Sequence, residues 1–380
     1  MKNLFILTIV LIVAAGCSGD SEIYQKSKDI DTIQQSIDKN GEFFIKDSTV
    51  NSVSIGIFKD GKTYIGHYGE LNPNKGNRPT DNTIYEIASV SKTFVGTIVA
   101  QAELDGKINI EDNIQKYLKE DYPNLKYEGN PIKIKHLLTH TSGLPKFLPI
   151  SVNLLFNKID ESLPFKYTEI EEQYNKQEFL ADLHDLVLDT IPGARFEYSN
   201  IGTELIAHIL ENIYDKNYEE LVQQYIYNIA DMPNTKMNLT ENEKNKLAYG
   251  YFGKQNKQVP PLVNNLWGGA GAIKSTVPDM INYMKFQLDE KNLIVKKSHK
   301  VLYQEEGLNV AYFWFTETDE KDGTAYIHDG TTFGVENWVF LYPKHNLGIY
   351  IVSNHIDEDT EDKIINTANG ILDDIRLNIK

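Results

Sequence analysis

The chain has one cysteine in 380 residues, so it can form neither an internal disulfide nor a cysteine-built metal cluster. Positive charge is also scarce: 38 Lys and Arg stand against 54 Asp and Glu, a formal net charge of −16. Binding nucleic acid requires basic patches that displace counterions from phosphates, and the absence of any such patch argues against nucleic acid as a partner. The apolar run from Leu4 to Val13 stops well short of the roughly 20 residues of a membrane-spanning helix. No internal repeat is visible. His136 and His140 lie four apart, but Leu137 stands where a zinc protease needs glutamate. Gly268, Gly269 and Gly271 lack the following lysine and hydroxyl residue of a phosphate loop. Neither a metal nor a cofactor is called for. What is present, 41% hydrophobic and 24% charged residues, reads as an ordinary globular protein of one large domain or two interleaved ones.

Lys2, the apolar run and then Ala14-Ala15-Gly16 before Cys17 follow the pattern of an export signal. Cysteine after small residues resembles the bacterial lipobox. That resemblance implies a signal peptide over 1–16, lipidation of Cys17 and an exported protein held at a membrane by acyl chains. The alternative is ordinary cleavage near Ala15 with Cys17 left as a free thiol. Residues 17–29 are polar and aperiodic and read as a flexible tether.

The stretch with chemical content runs from Glu86 to Gly96, where Ser89 and Lys92 stand three apart at the start of an apolar helical pattern. Residues i and i+3 share a helix face, so the two side chains are neighbours and Ser91 is excluded from the pair. A serine hydroxyl becomes nucleophilic when a base takes its proton, and an amine whose pKa is lowered by burial can do so. The helix start adds unpaired N–H groups and a positive local potential that stabilise developing negative charge.

Three further stretches follow in order: Tyr198-Ser199-Asn200, Trp267-Gly268-Gly269-Ala270-Gly271 and His328-Asp329-Gly330. With His136 to Leu144, they make the chain resemble, from about Val53 to Ser353, the β-lactamase-related serine hydrolases. These are the class C-like group that includes D-aminopeptidases, esterases and low-molecular-mass penicillin-binding proteins. The resemblance implies Ser89 as nucleophile, with Lys92 and Tyr198 exchanging the proton and the Tyr198 phenol pKa lowered by the neighbouring ammonium. It implies that Asn200 holds the substrate amide and orients Lys92. His328 takes the place of the lysine that receives a substrate carboxylate, which weakens carboxylate recognition because histidine is charged only part of the time near neutrality. Gly330 allows close backbone approach, and the Thr331 amide joins that of Ser89 as oxyanion donor. From the residues alone, Tyr198-Ser199-Asn200 could be an N-cap with a packed tyrosine, and His328 to Gly330 a turn.

Hydrophobic patterning supplies the frame. Ile30, Ile33 and Ile37 are spaced as a helix, and Ser52 to Phe58 and Thr63 to Tyr68 form a hairpin about Asp60-Gly61. Helical segments are expected over 132–138, 177–187, 201–213 and 218–226, while 145–174 reads as an irregular insertion near the cleft. A helix starts at Ser275-Thr276. Strands are expected over 310–315, 324–328, 336–342 and 347–353, and a final helix carries Ile364 to Ile375. Short turns between consecutive strands make the sheet antiparallel. The expectation is an α+β fold of the β-lactamase/transpeptidase-like kind over 30–380, its sheet flanked by terminal helices and a mainly helical lobe inserted at about 105–260. The function implied is hydrolysis of amides or esters through an acyl-enzyme, with D-amino-acid peptides, β-lactams or small esters as substrates. The alternative is a non-catalytic member that binds cell-wall peptides or a protein partner.

Overall fold

The computed structural model describes residues 19–46, 50–262 and 265–378; the expected signal segment and Cys17 lie outside them. Helix α1 (Gly19–Phe44) leads into a hairpin of β1 (Ser52–Lys59) and β2 (Lys62–Gly69). The turn is made by Asp60 and Gly61, with φ of 49° and 83°. Both residues tolerate the left-handed region that a two-residue hairpin requires. α1 begins earlier than expected, and from Gly19 on its backbone is helical through the described part of the stretch read as a tether. That stretch holds helix formers such as Glu22, Gln25 and Lys26 and no proline, so local propensity does not need apolar periodicity there.

Helix α2 (Ser91–Leu104) follows a single 3₁₀ turn over Ala88–Val90. The helical lobe comes next and includes α3 (Asn200–Tyr214). The chain then returns through α4 (Val277–Gln287), β3 (Tyr303–Glu305), β4 (Leu308–Val310), β5 (Phe315–Asp319), β6 (Gly323–Thr331), β7 (Glu336–Tyr342) and β8 (Leu347–Ser353). It ends in α5 (Thr360–Asn378). These strands form one eight-stranded sheet in the order β2-β1-β8-β7-β6-β5-β4-β3, with neighbours antiparallel throughout.

Alternation along the central strands divides the core. Val53, Ile55 and Ile57 of β1 and Ile349 and Ile351 of β8 face Ile37 of α1 and Ile364, Ile371 and Ile375 of α5. Tyr350 and Val352 face the opposite way, into the core shared with α4, α2 and the helical lobe. Polar contacts join the terminal helices to each other and to the sheet: Ser36 Oγ of α1 donates to Asp374 of α5 at 2.8 Å, and Arg376 Nε of α5 donates to buried Asp322 in the β5–β6 turn at 2.9 Å.

Two expectations are corrected. The strand expected over 310–315 breaks after Val310, and Phe313 takes a φ of 66°. Ala311 to Trp314 are fully buried in the helical-lobe core, so packing there outweighs continued pairing. Residues 145–174 contain two short helices, Ser151–Leu155 and Leu163–Glu171. Their apolar clusters pack on one another, with the Phe147 and Phe156 rings stacked at 4.9 Å.

Candidate active site

Ser89 sits in the 3₁₀ turn that precedes α2, at the junction of sheet and helical lobe. Ala88, just before it, holds a φ of 45°. Such left-handed backbone at a residue with a Cβ is strained and is kept only where the surroundings enforce it. One source of enforcement is Gly330 of β6. A Cβ there would lie 2.1 Å from the Ile87 carbonyl oxygen, so only glycine lets the strand approach the serine turn this closely. Asn337 of β7 ties the two together, its Nδ2 donating to the carbonyls of Gly330 at 2.8 Å and Ile87 at 3.3 Å.

The i, i+3 geometry places Lys92 Nζ 2.9 Å from Ser89 Oγ and 2.6 Å from the Ala270 carbonyl oxygen. Lys92 is fully buried. Burial pushes its pKa down from 10.5 to about 7, with Lys146 acting in the same direction and Asp329 and Glu204 opposing it. At neutral pH much of this amine is unprotonated, which is the form that can accept the serine proton. Ser91 is buried on another face, as its spacing requires.

Tyr198 lies under the same ammonium, its ring centroid 5.0 Å from Lys92 Nζ, and its hydroxyl is hydrogen-bonded to Ser89. The expected lowering of its pKa is corrected. Burial, reinforced by the Asp329 carboxylate, pushes the phenol far up, and the Ser89 hydrogen bond offsets this only in part. Tyr198 is therefore a neutral phenol, not a phenolate. His140 packs against it with ring centroids 4.3 Å apart and the planes tilted by 30°. His140 Nδ1 accepts from the Ser199 amide at 3.2 Å, so His136 to Leu144 serve the site by positioning Tyr198. The short helix there ends before His140, whose own φ of 55° precedes the Gly143 turn. Ser199 is the N-cap of α3, its Oγ accepting from the Gly202 amide.

Asn200 lines the cleft, but among the described residues it does not hold Lys92, which is held by Ser89 and Ala270. Behind Ala270, Glu204 of α3 accepts from the Gly269 amide at 3.1 Å and so braces the loop that carries the Ala270 carbonyl. Burial pushes Glu204 up to about 8. Trp267, Ala270 and Gly271 form the adjoining wall.

The placement of His328 is also corrected. It is fully buried, Nδ1 donates to the Asp329 carbonyl oxygen at 2.6 Å, and burial lowers its pKa to about 4. It is thus a neutral packing residue that does not line the cleft. Side chains alternate along a strand, and β6 presents Asp329 and Thr331 to the cleft while Gly330 abuts the serine turn and His328 is buried within electrostatic reach of Lys92 and His140. That two-residue period was legible in the sequence and groups Asp329 with Thr331 on the face opposite His328, but which face meets the cleft was not. Lys146, which also lines the cleft, carried no comparable signal. The cleft holds about 900 Å³. Among the described residues no cluster of His, Asp or Glu is arranged to hold a metal ion.

An antiparallel sheet with an inserted helical lobe and a Ser-x-x-Lys pair at their junction is the β-lactamase/transpeptidase-like fold. A class C β-lactamase superimposes with a TM-score of 0.75 at 20% identity, covering 91% of this chain and 96% of that one. A β-lactamase/D-alanine carboxypeptidase from Yersinia pestis, complexed with citrate, gives 0.76 at 20% identity over 90% and 98%. A family model described as Beta-lactamase matches residues 33–372, and the chain belongs to that family. Protein flp of Staphylococcus aureus is 29% identical over 338 residues, 84% of this chain, and the match spans 63% of that relative's length. A β-lactamase of Providencia stuartii is 26% identical over 256 residues, covering 67% of this chain and 60% of that protein.

Proposed function

We propose that the protein is a serine hydrolase that cleaves ester or amide bonds through an acyl-enzyme, exported and held at a membrane through Cys17. The observation that carries the catalytic part is the 2.9 Å contact between Ser89 Oγ and a fully buried lysine whose pKa is lowered to about 7. In this reading neutral Lys92 takes the Ser89 proton as Oγ bonds to the substrate carbonyl carbon, and the carbonyl electron pair moves onto oxygen. The amides of Ser89 and Thr331 receive that oxyanion, where removal of one such donor typically costs about 10²–10³ in rate. Collapse breaks the bond to the leaving group, which takes the proton from the Lys92 ammonium by way of the Tyr198 phenol. Water, deprotonated by the same pair, then releases the acid and restores Ser89.

The test is labelling with a fluorescent fluorophosphonate together with hydrolysis of p-nitrophenyl esters. Wild type is expected to form the adduct and turn over ester, and Ser89→Ala to do neither. Equal turnover by the two proteins would remove the assignment, and a wild type inert to both reagents would favour a binding protein on the same fold. For the anchor, the mature protein should begin at a lipidated Cys17 by mass spectrometry. A mature chain starting elsewhere refutes it.

A further inference from the structure

Two features of the cleft bear on what it can accept. The first is its wall. Phe147, Phe156 and Tyr167 of the insertion meet Phe333, which follows β6, with Tyr167 and Phe333 ring centroids 5.0 Å apart and Phe156 and Phe333 6.3 Å apart. Leu262 packs on the same cluster. The rings line the cavity that contains Ser89, so an acyl group bonded to Ser89 Oγ has an aromatic chamber beside it. At the mouth, Ile159 lines the cavity and is 70% exposed.

The second is charge. Asp329 lines the cleft with 38% of its side chain exposed, close enough to Lys92 and Tyr198 to raise the pKa of both. The neighbouring side chain in the strand, His328, is neutral and fully buried, within reach of Lys92 and His140 and outside the cleft lining. Two lysines line the cavity: Lys254, paired with Glu358 at 2.5 Å, and Lys146, which lies over the Phe147 and Phe156 rings at 5.3 and 5.7 Å and over the Tyr198 ring at 5.9 Å, within electrostatic reach of Asp329. Asp329 is carried by β6, and Lys146 is carried by the insertion, between its aromatic rings and Tyr198.

Resting on the serine hydrolase reading, we infer that the substrates are esters or amides with an apolar acyl group and a leaving group that carries no carboxylate. This excludes peptides ending in free D-alanine and the common penicillins and cephalosporins as good substrates, because each presents a carboxylate on the departing side. Burying a methylene of the acyl chain in such a chamber favours binding by roughly three- to fourfold. A leaving-group carboxylate facing Asp329 in a partly desolvated cleft loses on the order of tenfold to a hundredfold.

The experiment measures kcat/KM of the full-length protein on phenyl acetate, phenyl octanoate and 3-carboxyphenyl octanoate, with Ser89→Ala as the blank. The octanoate is expected to exceed the acetate by about tenfold or more, and the carboxyphenyl ester to fall about tenfold or more below the phenyl ester. Asp329→Asn should close most of the second gap. Any effect of that change on Lys92 is common to both esters and cancels in their ratio. Phe333→Ala should narrow the first gap. Ser89-dependent turnover with no chain-length preference, or with the carboxyphenyl ester equal or better because Lys146 captures it, overturns the inference and leaves the hydrolase standing. No Ser89-dependent turnover of any ester, with no fluorophosphonate adduct, overturns the hydrolase reading itself.

Discussion

Replacing Lys92 with methionine should make the protein more stable and far less active. Methionine keeps most of the volume and flexibility of the side chain without its charge. A lysine that titrates at 10.5 when free and at about 7 in the fold destabilises the folded state at pH 7 by on the order of 4 kcal/mol. Against this, the Ala270 carbonyl and Ser89 hydroxyl lose a partner, which gives back about 1 to 2 kcal/mol. A net gain of about 2 to 3 kcal/mol remains. The sign follows from the protons. Below pH 7 folding must bury an ammonium, so the penalty is fully present; it shrinks as the folded-state amine is neutralised and disappears above 10.5, where the unfolded lysine is neutral too. The advantage of Lys92→Met should therefore be largest at pH 7 and below and fade toward pH 10, read as the shift in urea midpoint at fixed m-value. Acylation by fluorophosphonate should fall by about 10²–10⁴, the range for loss of a general base. In wild type the acylation rate should climb with pH through about 7. A methionine variant that is less stable at pH 7, or one that acylates at the wild-type rate, refutes the assignment of Lys92 as a buried base.

Gly330→Ala should lower stability by about 2 kcal/mol, as overpacking does, and reduce acylation, because its Cβ would meet the Ile87 carbonyl oxygen at 2.1 Å. Urea unfolding and labelling rates check both. Glu204→Gln keeps the acceptor for the Gly269 amide and removes a carboxyl held at about 8. A raised carboxyl destabilises the fold increasingly from pH 4.5 up to about 8, so the variant should melt higher than wild type at pH 8 and equal it at pH 4. Arg376→Ala should cost about 2 kcal/mol by leaving the Asp322 carboxylate buried with His345 as its ion-pair partner among the described residues. Circular dichroism melts would show it, and an unchanged Tm would mean that the ion pair does not fasten α5 to the β5–β6 turn.

Short-range features were legible from the amino-acid order. The hairpin about Asp60-Gly61, β7, β8 and α4 stand where periodicity and turn chemistry put them, because these are set by neighbours a few residues apart. Tertiary burial overruled local pattern at Ala311 to Trp314, where a run of apolar residues entered the helical-lobe core instead of extending a strand. Clusters at 147–156 gave no period, and their two short helices depend on stacking against one another and on Phe333.

The pairing of Ser89 with Lys92 was determined by sequence alone, since three residues on a helical path bring the hydroxyl and the amine together whatever surrounds them. The protonation of Lys92, Tyr198 and His328 was decided only by the fold, because desolvation depends on which distant segments close over a group. The same closure turned β6 so that Asp329, and not His328, faces the substrate space. Hydrogen bonds of Asn337 to Gly330 and Ile87, side chain and backbone 250 residues apart in the last case, fix that orientation.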